Sequence, residues 1–179
     1  TLARQLNVAV EEARSLNILG FIACEQSQYS EAHGYFQKSL TIGQAIQEHQ
    51  SVANSLVELG VVAEFQKTYA VAKGYFQQAL ALYQSLGNEL GSARCFFYLG
   101  LLAAQHDNDY TTALDYFQQS HALNQTIGNQ RNTAKTLNSL GIFYATKGDY
   151  ATAHDHFEQS QTIRRAIGDR AGLAHTHLV

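Results

Sequence analysis

Histidine, cysteine and paired carboxylates are the residues of this chain that could do chemistry. Two histidine clusters stand out, His154-Asp155-His156 and His175-Thr176-His177. Both would suggest a metal, but helical residues two apart point away from each other. A zinc pair needs a spacing of three or four, so these histidines read as surface or inter-helix residues. Asp107-Asn108-Asp109 starts like a calcium loop and lacks the glycine and the distal glutamate. The stretch GNELG, from Gly87 to Gly91, follows a helix and lacks the Lys-Ser/Thr of a phosphate loop. No local signature supports a Ser-His-Asp or Cys-His nucleophile. Cys24 and Cys95 are too few for a disulfide framework and read as reduced thiols of a cytosolic protein. No catalytic residue, metal site or cofactor is expected.

The bulk properties bound what remains. The chain has 179 residues, 45% hydrophobic and 15% charged, enough to bury a sizeable core. A net charge of −3 argues against nucleic acid as partner, because phosphate binding needs clustered Lys and Arg. No apolar run approaches the length of a membrane span, and no secretory signal opens the chain. There is no proline and no methionine, not even at position 1. The first absence suits an almost wholly helical chain whose turns use Gly, Asn and Asp. The second suggests a piece of a longer protein.

The elements that must position any site come from an internal repeat. Leu19-Gly20, Leu59-Gly60, Leu99-Gly100 and Leu140-Gly141 recur at steps of 40, 40 and 41 residues. Tyr29, Tyr69, Tyr110 and Tyr150 keep the same step, as do Ala32, Ala72, Ala113 and Ala153, then Phe36, Phe76, Phe117 and Phe157. The extra residue falls in the polar stretch after Gly100, where a surface turn can absorb it. Each unit reads as two helices: Ala13, Leu16, Leu19, Gly20 and Ala23 form one stripe, and Ala32, Phe36, Ser39 and Leu40 the other. A mid-helix glycine costs about 1 kcal/mol against alanine. That is reasonable where a second helix crosses closely, with the alanine facing it and the phenylalanine beside the crossing. Gly87, Gly128 and Gly168 should end second helices in the left-handed conformation, with Asn88, Asn129 and Asp169 capping the next helix in each case.

These residues resemble the tetratricopeptide repeat, whose pattern sets Leu-Gly, Ala, then Ala, Phe and a small residue at these offsets. The four copies run Leu16 to Ser39, Leu56 to Ala79, Phe96 to Ser120 and Leu137 to Ser160. The period of about 40 exceeds the usual 34, and the late proline of the family is replaced by Gln44, Gln84, Gln125 and Arg165. This longer variety is similar to the repeats of kinesin light chains and of the sensor arms of bacterial signal-transduction ATPases. The resemblance implies an all-α fold, a right-handed α-solenoid of antiparallel helix hairpins. The expected organisation is one solenoid fragment over 1–179. Repeats span 13–52, 53–92, 93–133 and 134–173; residues 1–12 end a preceding repeat and 174–179 open a further one.

In this family the first helices line a concave groove that binds peptides or proteins. Carried over position by position, that surface comprises Arg14, Asn54, Arg94 and Lys135; then Asn17, Val57, Phe97 and Asn138; then Phe21, Val61, Leu101 and Ile142. The basic row would favour carboxylates, and asparagines can pair with a peptide backbone. The expected function is a non-catalytic, cytoplasmic protein-interaction module of a larger, bacterial regulatory protein, taking a partner with apolar and acidic character. The alternatives are a small-molecule-sensing arm and a self-assembly scaffold, with homodimers formed through truncated ends.

Overall fold

A computed structural model describes residues 2–106 and 109–176, with side chains over 4–106 and 109–173. Among the described residues all regular structure is helical. The order is α1 (Leu2–Glu25), α2 (Tyr29–Ala45), α3 (His49–Phe65), α4 (Tyr69–Ser85), α5 (Glu89–Gln105), α6 (Tyr110–Thr126), α7 (Gln130–Thr146), α8 (Tyr150–Ala166) and α9 (Arg170–Thr176). The chain divides into two compact units, Thr1–Gly91 and Ser92–Val179. In the first, α1 packs on α2, α2 on α3, and α3 on α4. In the second, α6 packs on α7, α7 on α8, and α8 on α9. The fold is a tetratricopeptide-like solenoid built from antiparallel helix hairpins.

The Leu-Gly pair and the phenylalanine explain each hairpin. A Cβ on Gly60 would lie 2.6 Å from Phe76 Cε1, and one on Gly141 2.6 Å from Phe157 Cε1. Gly20 meets Phe36 and Gly100 meets Phe117 in the same way. So the ring edge itself rests on the glycine, rather than beside the crossing as the spacing suggested. Ala32, Ala72, Ala113 and Ala153 are buried at the crossing as expected. Phe36, Phe76 and Phe117 are fully enclosed, each worth about 1.5–3 kcal/mol by transfer from water.

The turns repeat one device. The residue after the second-helix end takes positive φ: Gly87 at 64°, Gly128 at 69°, Gly168 at 68°, and Gln47 at 55° without the help of glycine. Amide bonds such as Asn88 N to Tyr83 O at 2.8 Å and Glu48 N to Gly43 O at 2.9 Å close these ends. The next helix is then capped: Asn88 Oδ1 accepts from Gly91 N, Asn129 Oδ1 from Asn132 N, and Asp169 Oδ1 from Gly172 N. Between hairpin arms the usual closure spans five residues, as in Asp149 N to Tyr144 O. In the third hairpin it runs from Asp109 N to Ala103 O, so the extra residue is taken up inside this turn. The Asp107-Asn108-Asp109 cluster itself lies partly outside the described residues.

The helix at the start of the chain crosses one expected boundary. Residues 1–12 were expected to end a preceding repeat, yet α1 runs unbroken from Leu2 to Glu25. Asn7 and Val8 stand where Gly168 and Asp169 stand in the fourth repeat. Without the left-handed glycine and the capping carboxylate, nothing halts the helix there. The expected opening of a further repeat at 174–179 lies outside the described side chains.

Candidate functional site

The expected groove residues meet different fates in the two units. In the first unit, Arg14 is exposed and paired to Glu11 at 2.7 Å, a contact of small value at a solvated surface. Asn17 Oδ1 accepts from Ser55 Oγ at 3.3 Å. Asn54 Oδ1 accepts from Tyr83 OH at 2.7 Å and from Gln50 Nε2 at 3.0 Å. These asparagine oxygens are therefore already engaged in holding the hairpins. Val57 has 0% exposure and is a core residue, not a groove residue. It follows the helical stripe of Ala53 and Leu56 into the interior. Val61 is half-buried. Phe21 is 45% exposed, with its edge against the Phe36 ring.

In the second unit the expected residues come together. Lys135 Nζ, from α7, sits 4.3 Å above the Phe97 ring and 5.5 Å from that of Tyr98. The Arg94 guanidinium lies 5.7 Å from the same Tyr98 ring. Phe97 is 6% exposed, so its contribution is the platform under Lys135 rather than a surface offered to a ligand. Such ring contacts are worth about 0.5–1 kcal/mol each at exposed sites and fix where the cation sits. Arg94, Tyr98 and Lys135 border a cavity of about 120 Å³, which Asn132 and, from α6, Asn124 also line. Further along the same two helices is a mainly apolar depression of about 100 Å³, walled by Leu101, Tyr110, Ile142 and Phe143. Ile142 is 43% exposed. Asn138, between the two hollows along α7, has an Oδ1 that is buried without a hydrogen-bond partner among the described residues.

The repeat pattern overlooked the deepest part of this cavity. Gly43, Tyr83, Asn124 and Arg164 occupy one repeat position near the second-helix end, and all four are buried. Facing them stand Ser51, Gly91, Asn132 and Gly172. A Cβ on Gly91 would clash with the Tyr83 ring, 2.4 Å from its Cδ1, and one on Gly172 would collide with the Arg164 guanidinium. Arg164 satisfies itself through Ser160 Oγ at 3.2 Å and Asp169 Oδ2 at 2.9 Å. The Gly172 amide and the Arg164 charge hold the Asp169 carboxyl below its ordinary range. Asn124 is shorter than Tyr or Arg and faces Asn132, and here the cavity opens. The signal was legible: one repeat column mixing Gly, Tyr, Asn and Arg is unlike a core column.

His154 is exposed, 4.0 Å from Glu158, while His156 stacks on Tyr144. The His175 and His177 pair lies outside the described residues. Among the described residues no three His, Cys, Asp or Glu side chains converge on a metal position. Burial pushes the Cys95 thiol up to about 12 and raises that of Cys24 as well, with Glu58 and Glu25 adding to the latter. Among the described residues no helix is long and apolar enough to cross a membrane.

The sequence profile of the tetratricopeptide repeat matches residues 11–85 and 92–166, and the chain belongs to this family. Among curated proteins none matches significantly. Among solved structures, one Rap protein complexed with Competence and Sporulation Factor aligns at 17% identity and a TM-score of 0.87. It covers 94% of this chain and 47% of that one. Aspartyl phosphate phosphatase F from Bacillus subtilis aligns at 15% identity and 0.86, covering 94% and 44%. BtubC (BKLC) from P. vanneervenii aligns at 21% identity and 0.76, covering 87% and 64%. At these identities the likeness is one of fold. The chain spans about half to two thirds of the length of these relatives.

Proposed function

We propose that the chain is a peptide-recognition module whose working surface is the α5–α7 face of its second unit. The carrying observation is the pairing of a basic, polar cavity with an apolar depression on the same two helices. Arg94 and Leu101 are two helical turns apart, about 10 Å along the axis. An extended peptide covers that distance in about three residues. The preferred segment therefore carries a carboxylate or carboxamide and, three positions away, an apolar side chain. Arg94 and Lys135 supply charge-assisted donors, and Leu101 and Ile142 supply the apolar contact. A Rap protein bound to a peptide, Phr*, shares the fold at a TM-score of 0.85 and 18% identity, which fits this reading. The module acts by presenting a preorganised surface, so little ordering entropy is lost on binding, and it needs no catalytic step. A cytoplasmic, bacterial regulatory protein is the setting in which such a module fits best.

The test is capture from a library of immobilised peptides, comparing wild type with Arg94→Glu/Lys135→Glu and with Arg14→Glu. The double change should cut retained binding at least tenfold, and Arg14→Glu should leave it intact. Peptides held equally well by the double variant would remove the basic pair from recognition.

A second reading rests on α1. Leu19 is exposed, whereas its counterparts Leu59, Leu99 and Leu140 are buried, and Ile18 and Ile22 are exposed beside it. This stripe suits a second copy of the chain, as in a self-assembling scaffold. Light scattering after size-exclusion chromatography decides it: a strict monomer at high concentration defeats the idea.

A further inference from the structure

We infer that the cavity between Asn124 and Asn132 is a pocket for a side-chain carboxamide, the Gln or Asn of a bound segment. This deepens the peptide-recognition reading and rests on it.

Asn124, a buried side chain lining this cavity, keeps an unsatisfied atom. Asn124 is 2% exposed. Its amide nitrogen donates to Ser120 O at 2.8 Å and lies 3.3 Å from Ser120 Oγ. Those bonds fix the orientation of the amide and leave Oδ1 as the acceptor. Oδ1 is buried and has no hydrogen-bond partner among the described residues. A buried acceptor without a donor is costly and uncommon in native proteins. The two other polar side chains at this repeat position have solved the same problem internally. Tyr83 reaches Asn54, and Arg164 reaches Ser160 and Asp169. At Asn124 the volume instead stays open, bordered by Arg94, Tyr98, Asn132 and Lys135.

The chemistry of the walls selects the occupant. Deep in the cavity the requirement is an N–H for Asn124 Oδ1. Near Arg94 and Lys135 an acceptor fits best, because both side chains are cationic and can only donate. A carboxylate meets the second demand alone. A guanidinium or ammonium meets the first alone and is repelled by two like charges. A primary carboxamide meets both in one planar group, its NH2 toward Asn124 and its oxygen toward the cations. Acidic neighbours in the same segment stay outside, near the basic pair.

The experiment is an NMR titration of the full chain with three probes: the N-acetyl methylamides of glutamine, glutamate and leucine. The glutamine probe should shift the backbone amides of Arg94, Lys135 and Thr136, which line the cavity, saturably, with a Kd on the order of 1 mM for so small a ligand. The glutamate and leucine probes should bind at least fivefold more weakly. Asn124→Tyr/Asn132→Gly copies the filled pair Tyr83 and Gly91, so it should keep its melting temperature and lose the shift. If that variant fails to fold, Asn124→Leu serves, since it keeps the shape without the acceptor. Equal affinity for glutamine and glutamate, an undiminished response in either folded variant, or no saturable shift because only water fills the cavity would each overturn the assignment. Peptide capture that depends on Arg94 and Lys135 but not on Asn124 would leave the groove reading standing while this one falls.

Discussion

The ring of Tyr83 fills the place where a side chain on Gly91 would begin, and its hydroxyl donates a 2.7 Å hydrogen bond to Asn54 Oδ1. One residue thus fills volume, satisfies a polar group and ties α4 to α3. Gly91→Ala should cost about 1–3 kcal/mol, the usual range for overpacking a closed contact. The same change in a Tyr83→Asn background should cost much less, because the ring is gone. Thermal melts of the four proteins in a double-mutant cycle measure the coupling. Additive effects would show that the two residues do not compete for the same space.

Glycines inside the helices should split by what they face. A Cβ on Gly141 would meet the Phe157 ring at 2.6 Å, whereas nothing lies within 4 Å of one on Gly74. Gly74→Ala should therefore stabilise by about 0.5–1 kcal/mol through helix propensity alone. Gly141→Ala gains the same propensity and loses more to the displaced ring, for a net loss of about 1–2 kcal/mol. Denaturant midpoints of the two single variants should move in opposite directions.

Three turns put a side-chain-bearing residue, Ser27, Gln47 or Lys67, at positive φ where counterparts use glycine. Gln47 and Lys67 sit at φ of 55° and 61°, a region that favours glycine. Gln47→Gly and Lys67→Gly should each stabilise by about 0.5–1 kcal/mol. For a chain of this size that is a rise in Tm of about 1–4 °C. An unchanged Tm in both would mean that greater freedom of the unfolded chain offsets the relieved strain.

Acid should weaken the second unit through its half-buried imidazoles. His121 and His156 both titrate below their ordinary value because burial disfavours the charged ring, with His156 repelling the charge on His121 and Asp155 partly opposing the shift of His156. Above about pH 7.5 both are neutral in the folded and unfolded chain and contribute nothing. As pH falls through the ordinary value of 6.5, the unfolded chain takes up protons first, so stability declines. Tm followed between about pH 7.5 and 5 should fall less steeply for His121→Gln/His156→Gln than for wild type. Parallel curves would remove these histidines from the acid response.

The hairpins, their crossing glycines and the capping residues were legible because they repeat: four copies of one pattern average out local accident. Phe97 and Val57 show where that reasoning stops. The repeat register places both on the groove-facing row, yet they sit at 6% and 0% exposure. Row membership says which way a helix face points, not how far neighbouring side chains close over it. Asn124 shows the opposite case. It lies outside the repeated signature, and its meaning depends on Asn132 being neither glycine nor large, a relation between columns rather than within one. Over residues 1–12, where α1 runs unbroken, alignment of the apolar positions says nothing about whether the turn chemistry is present.

The two thiols carry a practical consequence. Cys95 is sealed in the second unit with its thiol pushed up to about 12, while Cys24 is only half-buried near the end of α1 in the first. Maleimide dyes should therefore mark Cys24 alone on the native chain, with no cysteine to remove. The protein comes with its own single attachment point for a fluorescent reporter, and that point is distant in sequence from the face expected to recognise a partner.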